Sequence, residues 1–167
     1  KIKKGRFSQM AAEIFAEEDK SEIKGLLADI GVSSLQLDER ERGFSFDSES
    51  LDMRMDPSRD FSAADVVNTY SQQDLERILF DYGEVRNAKH IASEIIKARP
   101  FHSAKELSEV IRPFAPRGKK IHPSTLVFQA IRIEVNNELG ELEGLLDAIE
   151  NSGLNEARIA IISFHSL

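Results

Sequence analysis

Apolar positions along this chain follow three patterns, and each predicts a different kind of element. Two short runs, 26–30 and 157–164, are almost continuously apolar, as strands of a parallel sheet are when helices cover both faces. Each run breaks into polar residues at its C-terminal end. Asp29, Gly31, Ser33 and Ser34 close the first, and Ser163, His165 and Ser166 close the second. Ligands of open parallel sheets bind outside the carboxyl ends of the strands, so chemistry is expected at these two places.

Elsewhere apolar residues recur every three or four positions. Residues 8–18 put Met10, Ala11, Ile14 and Phe15 on one face behind Ser8 as a cap, which predicts an amphipathic helix. After the first strand, either Ser33 or Ser34 suits the cap of a short helix through Gln36 and Leu37. The pairs Ser62/Asp65, Ser71/Asp74 and Ser103/Glu106 have capping-box spacing, each ahead of an apolar periodic run. They predict helices near 62–69, 72–82, 85–98 and 103–112, with Leu75, Ile78, Leu79, Ile91, Ile95, Leu107, Val110 and Ile111 inside. From Pro123 one long helix is expected, with Phe128, Ile131, Val135, Leu139, Leu142, Leu146 and Ile149 on one stripe and a bend at Gly140 and Gly144.

The third pattern is the lack of one. Residues 39–60 show no sustained period, and long irregular connections inside compact domains are uncommon and usually functional or disordered. Phe44, Phe46, Leu51, Met53 and Met55 argue against disorder. The two strands are separated by about 125 residues, whereas a βαβ crossover needs roughly 10 to 30. The expected architecture is therefore α/β, a parallel sheet interrupted by an all-helical insertion: 1–41 and 139–167 form the sheet domain and 42–138 the insert. The chain starts without Met and stops two residues past His165, so it is expected to be a piece of a longer protein.

Composition narrows the chemistry. An apolar content of 41% suits a folded chain, and no apolar run reaches the roughly 20 residues of a membrane span. Without cysteine there is no disulfide, thiolate nucleophile or thiolate metal site, and four histidines without HExxH spacing give no support for a metal centre. The net charge of −7 hides a segregation: between Glu84 and Arg132 ten Lys and Arg face four Asp and Glu. Such a basic region on an acidic chain suits a polyanion, and a solvated, salt-bridged helical face gives the same count.

Asp29 with Gly31, Ser33 and Ser34 places a carboxylate, backbone N–H groups and two hydroxyls at the ligand edge, and equally reads as a turn aspartate with N-capping serines. Arg42 with Phe44 and Phe46 in the irregular loop suits gripping and stacking an unpaired base; the other reading is that the phenylalanines plug the loop into the core, and it is preferred for Phe46. Arg54, between Asp52 and Asp56, reads as an internal ion-pair clamp. Arg86, Lys89, Lys97, Arg99, Arg117, Lys119, Lys120, His122 and Arg132 are spaced to track phosphates or to form a solvated face.

Taken in order, DIGVSSLQLD, ERGFSF, LDMRMD, FQAIRIEVN and SFHSL resemble the MraW/RsmH family of bacterial methyltransferases, which modify a cytosine of small-subunit ribosomal RNA on its exocyclic amino nitrogen. The likeness runs from Phe7 to Leu167. It implies a Rossmann-like domain dependent on S-adenosylmethionine, interrupted by a helical substrate domain, in a cytoplasmic enzyme. Carried over by motif, cofactor binding falls on Phe7, Asp29 and Gln36; the need of a poorly nucleophilic amino group for hydrogen-bond acceptors and a proton relay assigns catalysis to Asp29, Ser33, Ser34 and His165. Arg42, Phe44, Arg99, Lys119, Lys120, His122 and Arg132 become the expected contacts to small-subunit RNA or the assembled subunit. Leu126 and Val85 depart from the family, which commonly has arginine and an acidic residue there. The family's glycine-rich cofactor loop lies upstream of Lys1, so the isolated chain is expected to bind cofactor weakly and transfer little methyl. Exposed strand edges make a homodimer the expected self-association. The rival reading is a helical module that binds RNA or protein without catalysis, and another transfer class on the same sheet is a third.

Overall fold

The computed structural model of the chain describes residues 2–114 and 123–163. In order, its elements are helix α1 (Phe7–Glu17), strand β1 (Gly25–Ile30), short helix α2 (Ser34–Asp38), a 3₁₀ turn (Arg40–Arg42), α3 (Ala63–Thr69), α4 (Gln72–Asp81), α5 (Ala88–Ala98), α6 (Ala104–Ile111), a second 3₁₀ turn (Arg112–Phe114), α7 (Pro123–Asn136), α8 (Glu138–Asn151) and strand β2 (Arg158–Ser163). The class is α/β, mostly helical, with a small parallel sheet. β1 and β2 pair directly, Asp29 beside Ile162 and Ile30 beside Ser163, as the two apolar runs predict. The chain forms two compact units, one from residues 1–31 with 137–167 and one from 32–136. No described helix is long and apolar enough to cross a membrane.

In the first unit Ala11 and Phe15 of α1 and Leu145 of α8 form a small core, against which Leu26, Ala28 and Ile149 pack. Glu141 of α8 is almost buried. Its carboxylate accepts from the Ser8 hydroxyl at 2.6 Å and from Arg6 at 3.3 Å. Ser8 is thus spent on α8 rather than on capping α1, whose N-cap is Arg6 without a side-chain bond. A second correction concerns β1, expected to be buried on both faces. Successive strand side chains point to opposite faces; the α1–α8 cluster packs Leu26 and Ala28, and Leu27 is left 69% exposed.

The predicted long helix is two helices. Asn137 adopts φ 52°, ψ 45°, the left-handed conformation that Asn tolerates better than most residues, and the ladder breaks there. Gly140 and Gly144 lie inside α8 instead of marking the bend. The single stripe splits accordingly: Phe128, Ile131 and Val135 enter the core of the second unit, whereas α8 buries Leu145 and leaves Leu146 47% exposed.

The second unit holds the larger core. Leu75, Ile78, Leu79, Ile95, Leu107, Ile111 and Ile131 are fully buried, each contributing about 1.5–3 kcal/mol relative to exposure. The three capping pairs predicted at Ser62, Ser71 and Ser103 are present. Ser62 donates its N–H and hydroxyl to Asp65, and the hydroxyls of Ser71 and Ser103 accept the N–H of Asp74 and Glu106. The irregular loop is ordered by helix ends. Orphan N–H groups at the start of α3 (Ala63, Ala64) donate to Asp52 and Leu51 carbonyls, and those starting α6 (Ala104, Lys105) to Ser50 and Ser48. Asn136 finishes the job, donating to the Met53 carbonyl at 2.8 Å and accepting from the Met55 N–H at 2.7 Å. Gly43, at φ +74°, is required where the loop crosses itself, because a Cβ there would collide with the Asp52 backbone.

Candidate functional site

In the first unit two of the residues singled out from sequence meet. Phe7 opens α1 and Asp29 stands one residue before the end of β1, and both line a cavity of about 400 Å³. Its walls are otherwise apolar, from Met10, Ile14, Leu27 and Leu145 among others. The size falls within the roughly 300–1,000 Å³ of ligand pockets, and one carboxylate on an apolar wall is the kind of lining such pockets use to orient a ligand. Asp29 and Phe7 are both exposed, the latter at 37%. Met10, Ile14 and Leu27 were legible only as core residues. Their place in the lining follows from the alternation of β1 and from α1 burying Ala11 and Phe15 more deeply.

Ser33, Ser34 and Gln36 belong to the second unit. Ser33 and Gln36 close a full capping box at the start of α2: the Ser33 N–H donates to Gln36 Oε1 at 2.9 Å and the Gln36 N–H to Ser33 Oγ at 3.3 Å. That leaves the Gln36 amide –NH2 and the Ser34 hydroxyl outside the box. The turn reading of these serines is therefore realised locally.

The residues expected to hold RNA divide sharply. Arg42 is corrected: its guanidinium donates to the carbonyls of Arg54 and Met55, at 2.8 and 3.3 Å, and lies 3.8 Å from Glu39, so it binds the irregular loop together. Phe44 is corrected too, because its ring is 6% exposed and buried in the core, where it has no face to offer a base. Phe46 packs edge-on against Phe128 at 4.9 Å, as predicted. Arg99 is a third correction. It donates to the carbonyls of Val67 and Tyr70, at 2.5 and 2.6 Å, satisfying the C-terminal end of α3, and burial holds its guanidinium below the usual arginine range. Arg132 is half-buried on α7. Lys119, Lys120, His122 and His165 lie outside the described residues.

Arg54 is the predicted clamp. It makes a two-pronged pair with Asp52 at 2.6 and 2.9 Å and also donates to the Arg59 carbonyl. Burial pushes the Asp52 carboxyl up, but the hydrogen bonds and charge of Arg54 reverse this and hold it below the usual carboxylate range. Burial and the carboxylate of Glu134, which accepts its hydroxyl at 2.6 Å, raise Tyr70 above the usual phenol range. These shifts belong to structural pairs inside the second unit. No group of three or more His, Asp or Glu able to hold a metal occurs among the described residues.

A profile described as the MraW methylase family matches residues 1–167. A protein of Sulfurimonas denitrificans named ribosomal RNA small subunit methyltransferase H is 63% identical over 99% of this chain and 54% of its own length. Proteins of the same name from Nitratiruptor sp. and Campylobacter curvus are 51% and 54% identical, over 99% and 100% of this chain and 54% and 55% of their own. The chain thus spans about half the length of the curated relatives it matches.

Proposed function

The chain belongs to the MraW methylase family, and from that premise we propose that it forms part of a cytoplasmic enzyme transferring a methyl group from S-adenosylmethionine to the exocyclic N4 amino group of a cytosine in small-subunit ribosomal RNA. The observation that carries this reading is the family match over residues 1–167, together with 63% identity over 99% of the chain to a relative named for methylating that RNA. In this reading β1 and β2 are part of a Rossmann-like sheet, and 42–138 is an insert that recognises RNA or the assembled subunit.

The cavity in the first unit supports the cofactor assignment by the chemistry of its lining. Phe7 offers an aromatic face and Met10 and Ile14 an apolar wall, while Asp29 supplies an anion beside them, a combination suited to an aromatic, cationic ligand. Bound S-adenosylmethionine supplies an electrophilic methyl group on a sulfonium centre. Gln36 is assigned to cofactor binding by its place in the family's motif.

What the chain must add is a way to make a poor nucleophile attack. The lone pair of the cytosine amino group is delocalised into the ring, so acceptors on its N–H groups and strict positioning both lower the barrier. Asp29 is assigned as the acceptor, with the Ser33 or Ser34 hydroxyl as a second. His165 orients the base or takes the proton that the amino nitrogen releases. Lys119, Lys120, His122 and Arg132 are assigned to phosphates.

The decisive experiment is methyl transfer by the full-length protein onto unmethylated small subunits, with mapping of the modified base. Asp29→Ala and His165→Ala are each expected to lower the rate by about 10²-fold or more. Near-normal methylation by either variant would remove that residue from the site, and a methyl group mapped to any atom other than a cytosine amino nitrogen would overturn the reading.

A further inference from the structure

The second unit exposes an aromatic ring that its own packing leaves unused. On α4 the buried face is Leu75, Ile78 and Leu79, and Phe80 points the other way, 64% exposed. Two shallow cavities adjoin there. One, of about 510 Å³, is walled by Phe80, Arg77, Glu76 and Gln73. The other, of about 470 Å³, is walled by Gln72, Asn87, His90 and Ser93, with no carboxylate among the described residues of its lining. Arg86 and Lys89 line both.

The charges on this surface are unbalanced. Arg77 is engaged, 3.7 Å from Glu134 and over the Tyr82 ring. Arg86 and Lys89 are exposed and form no ion pair among the described residues. Among the described residues, Glu76 is the single carboxylate lining either cavity. Two unpaired cations on a chain of net charge −7, beside a solvent-facing ring, ask for a ligand that carries negative charge and a flat apolar face in alternation. Unpaired RNA has both, since each nucleotide presents a phosphate and a base whose π-face is free to stack. A duplex offers the phosphates but keeps its base faces stacked within the helix.

We propose that this α4–α5 surface is a subsite for single-stranded RNA, in which Phe80 stacks on an unpaired base and Arg86 and Lys89 hold the flanking phosphates. The inference rests on the reading that the protein acts on ribosomal RNA and narrows it: the segment engaged by the helical unit is unpaired. Arg86 and Lys89 stand out in the sequence as part of a basic tract. Phe80 does not, because nothing in its spacing separates it from the core positions beside it.

The test is binding of a short labelled single-stranded RNA of small-subunit sequence to the full-length protein, followed by fluorescence anisotropy across a salt series. Phe80→Ala is expected to weaken binding about 5- to 150-fold, the range for one lost base–aromatic stack, and Phe80→Tyr to restore it. The double variant Arg86→Ala/Lys89→Ala is expected to reduce the salt slope by about 1.4, the value for two single-strand phosphate contacts. With the same RNA annealed to its complement, Phe80→Ala is expected to have no effect. Unchanged affinity and slope in the variants overturn the subsite, as does equal loss on the duplex. Rescue by Phe80→Leu as fully as by Phe80→Tyr overturns it in favour of an apolar protein contact. Wild type that methylates normally, with variants that bind RNA normally, refutes the subsite alone. Wild type that binds the strand through Phe80 yet methylates no base supports the subsite and refutes the enzymatic reading.

Discussion

Arg99 shows how the same side chain reads differently in sequence and in structure. In the sequence it is one more cation in a basic tract; in the fold its donors are taken by the carbonyls of Val67 and Tyr70. Arg99→Ala is therefore expected to destabilise the protein by about 1.5–3 kcal/mol, the range for hydrogen bonds from a charged donor, while leaving the salt dependence of RNA binding unchanged. Urea denaturation and an anisotropy salt series measure the two. A lowered salt slope with unaltered stability would return Arg99 to the phosphate-binding set. Aromatic residues divide in the same manner, since Phe44 is consumed by the core and Phe80 is left outside it. Asp29 and Phe7 are each exposed and line one cavity.

At the scale of elements, the starts of α3, α4 and α6 were legible and one internal break was not. A serine followed three residues later by Asp or Glu encodes its own hydrogen bonds, so the caps at Ser62, Ser71 and Ser103 needed no tertiary information. The break between α7 and α8 falls at Asn137, in a run whose apolar spacing continues across it. Asn137→Ala is expected to cost about 1–2 kcal/mol, because the left-handed conformation strains a Cβ that no longer has a short amide beside it, and Asn137→Gly is expected to be neutral or stabilising. Thermal or urea unfolding of the two variants checks this. An alanine variant as stable as the parent would show that the helix break is held by packing and not by the residue.

Across the whole molecule, several carboxyls are held below the usual range by local donors. The Ser62 hydroxyl and N–H act on Asp65, the Ser45 hydroxyl on Asp47 and the Ser21 N–H and hydroxyl on Asp19; at Asp52, Arg54 overcomes burial. A carboxyl whose folded pKa is depressed binds fewer protons in the native state than in the unfolded chain. Its contribution is present above the unfolded value of about 4 and is lost as pH falls below it. The melting temperature is expected to hold between pH 7 and 5 and to fall steeply below about pH 4, and Asp52→Asn is expected to flatten that acid limb. A melting temperature that stays level down to pH 3 would contradict it. The chain forms two compact units, 1–31 with 137–167 and 32–136. The distance between the strands called for extra helical structure, and the second unit, 32–136, falls between the two segments of the first in sequence.

What the sequence determined by itself is what neighbouring residues can settle among themselves: capping boxes, the two apolar runs, the Asp52–Arg54 clamp, and the ordered motifs that mark the family. These rest on contacts a few residues apart, whose geometry the backbone largely sets. Tertiary structure decided which face of β1 is packed, which of Leu145 and Leu146 is buried, and whether an arginine or phenylalanine is spent on the fold or left for a ligand. Those outcomes depend on what lies opposite each side chain, and desolvation and hydrogen-bond satisfaction are settled only once distant segments have met.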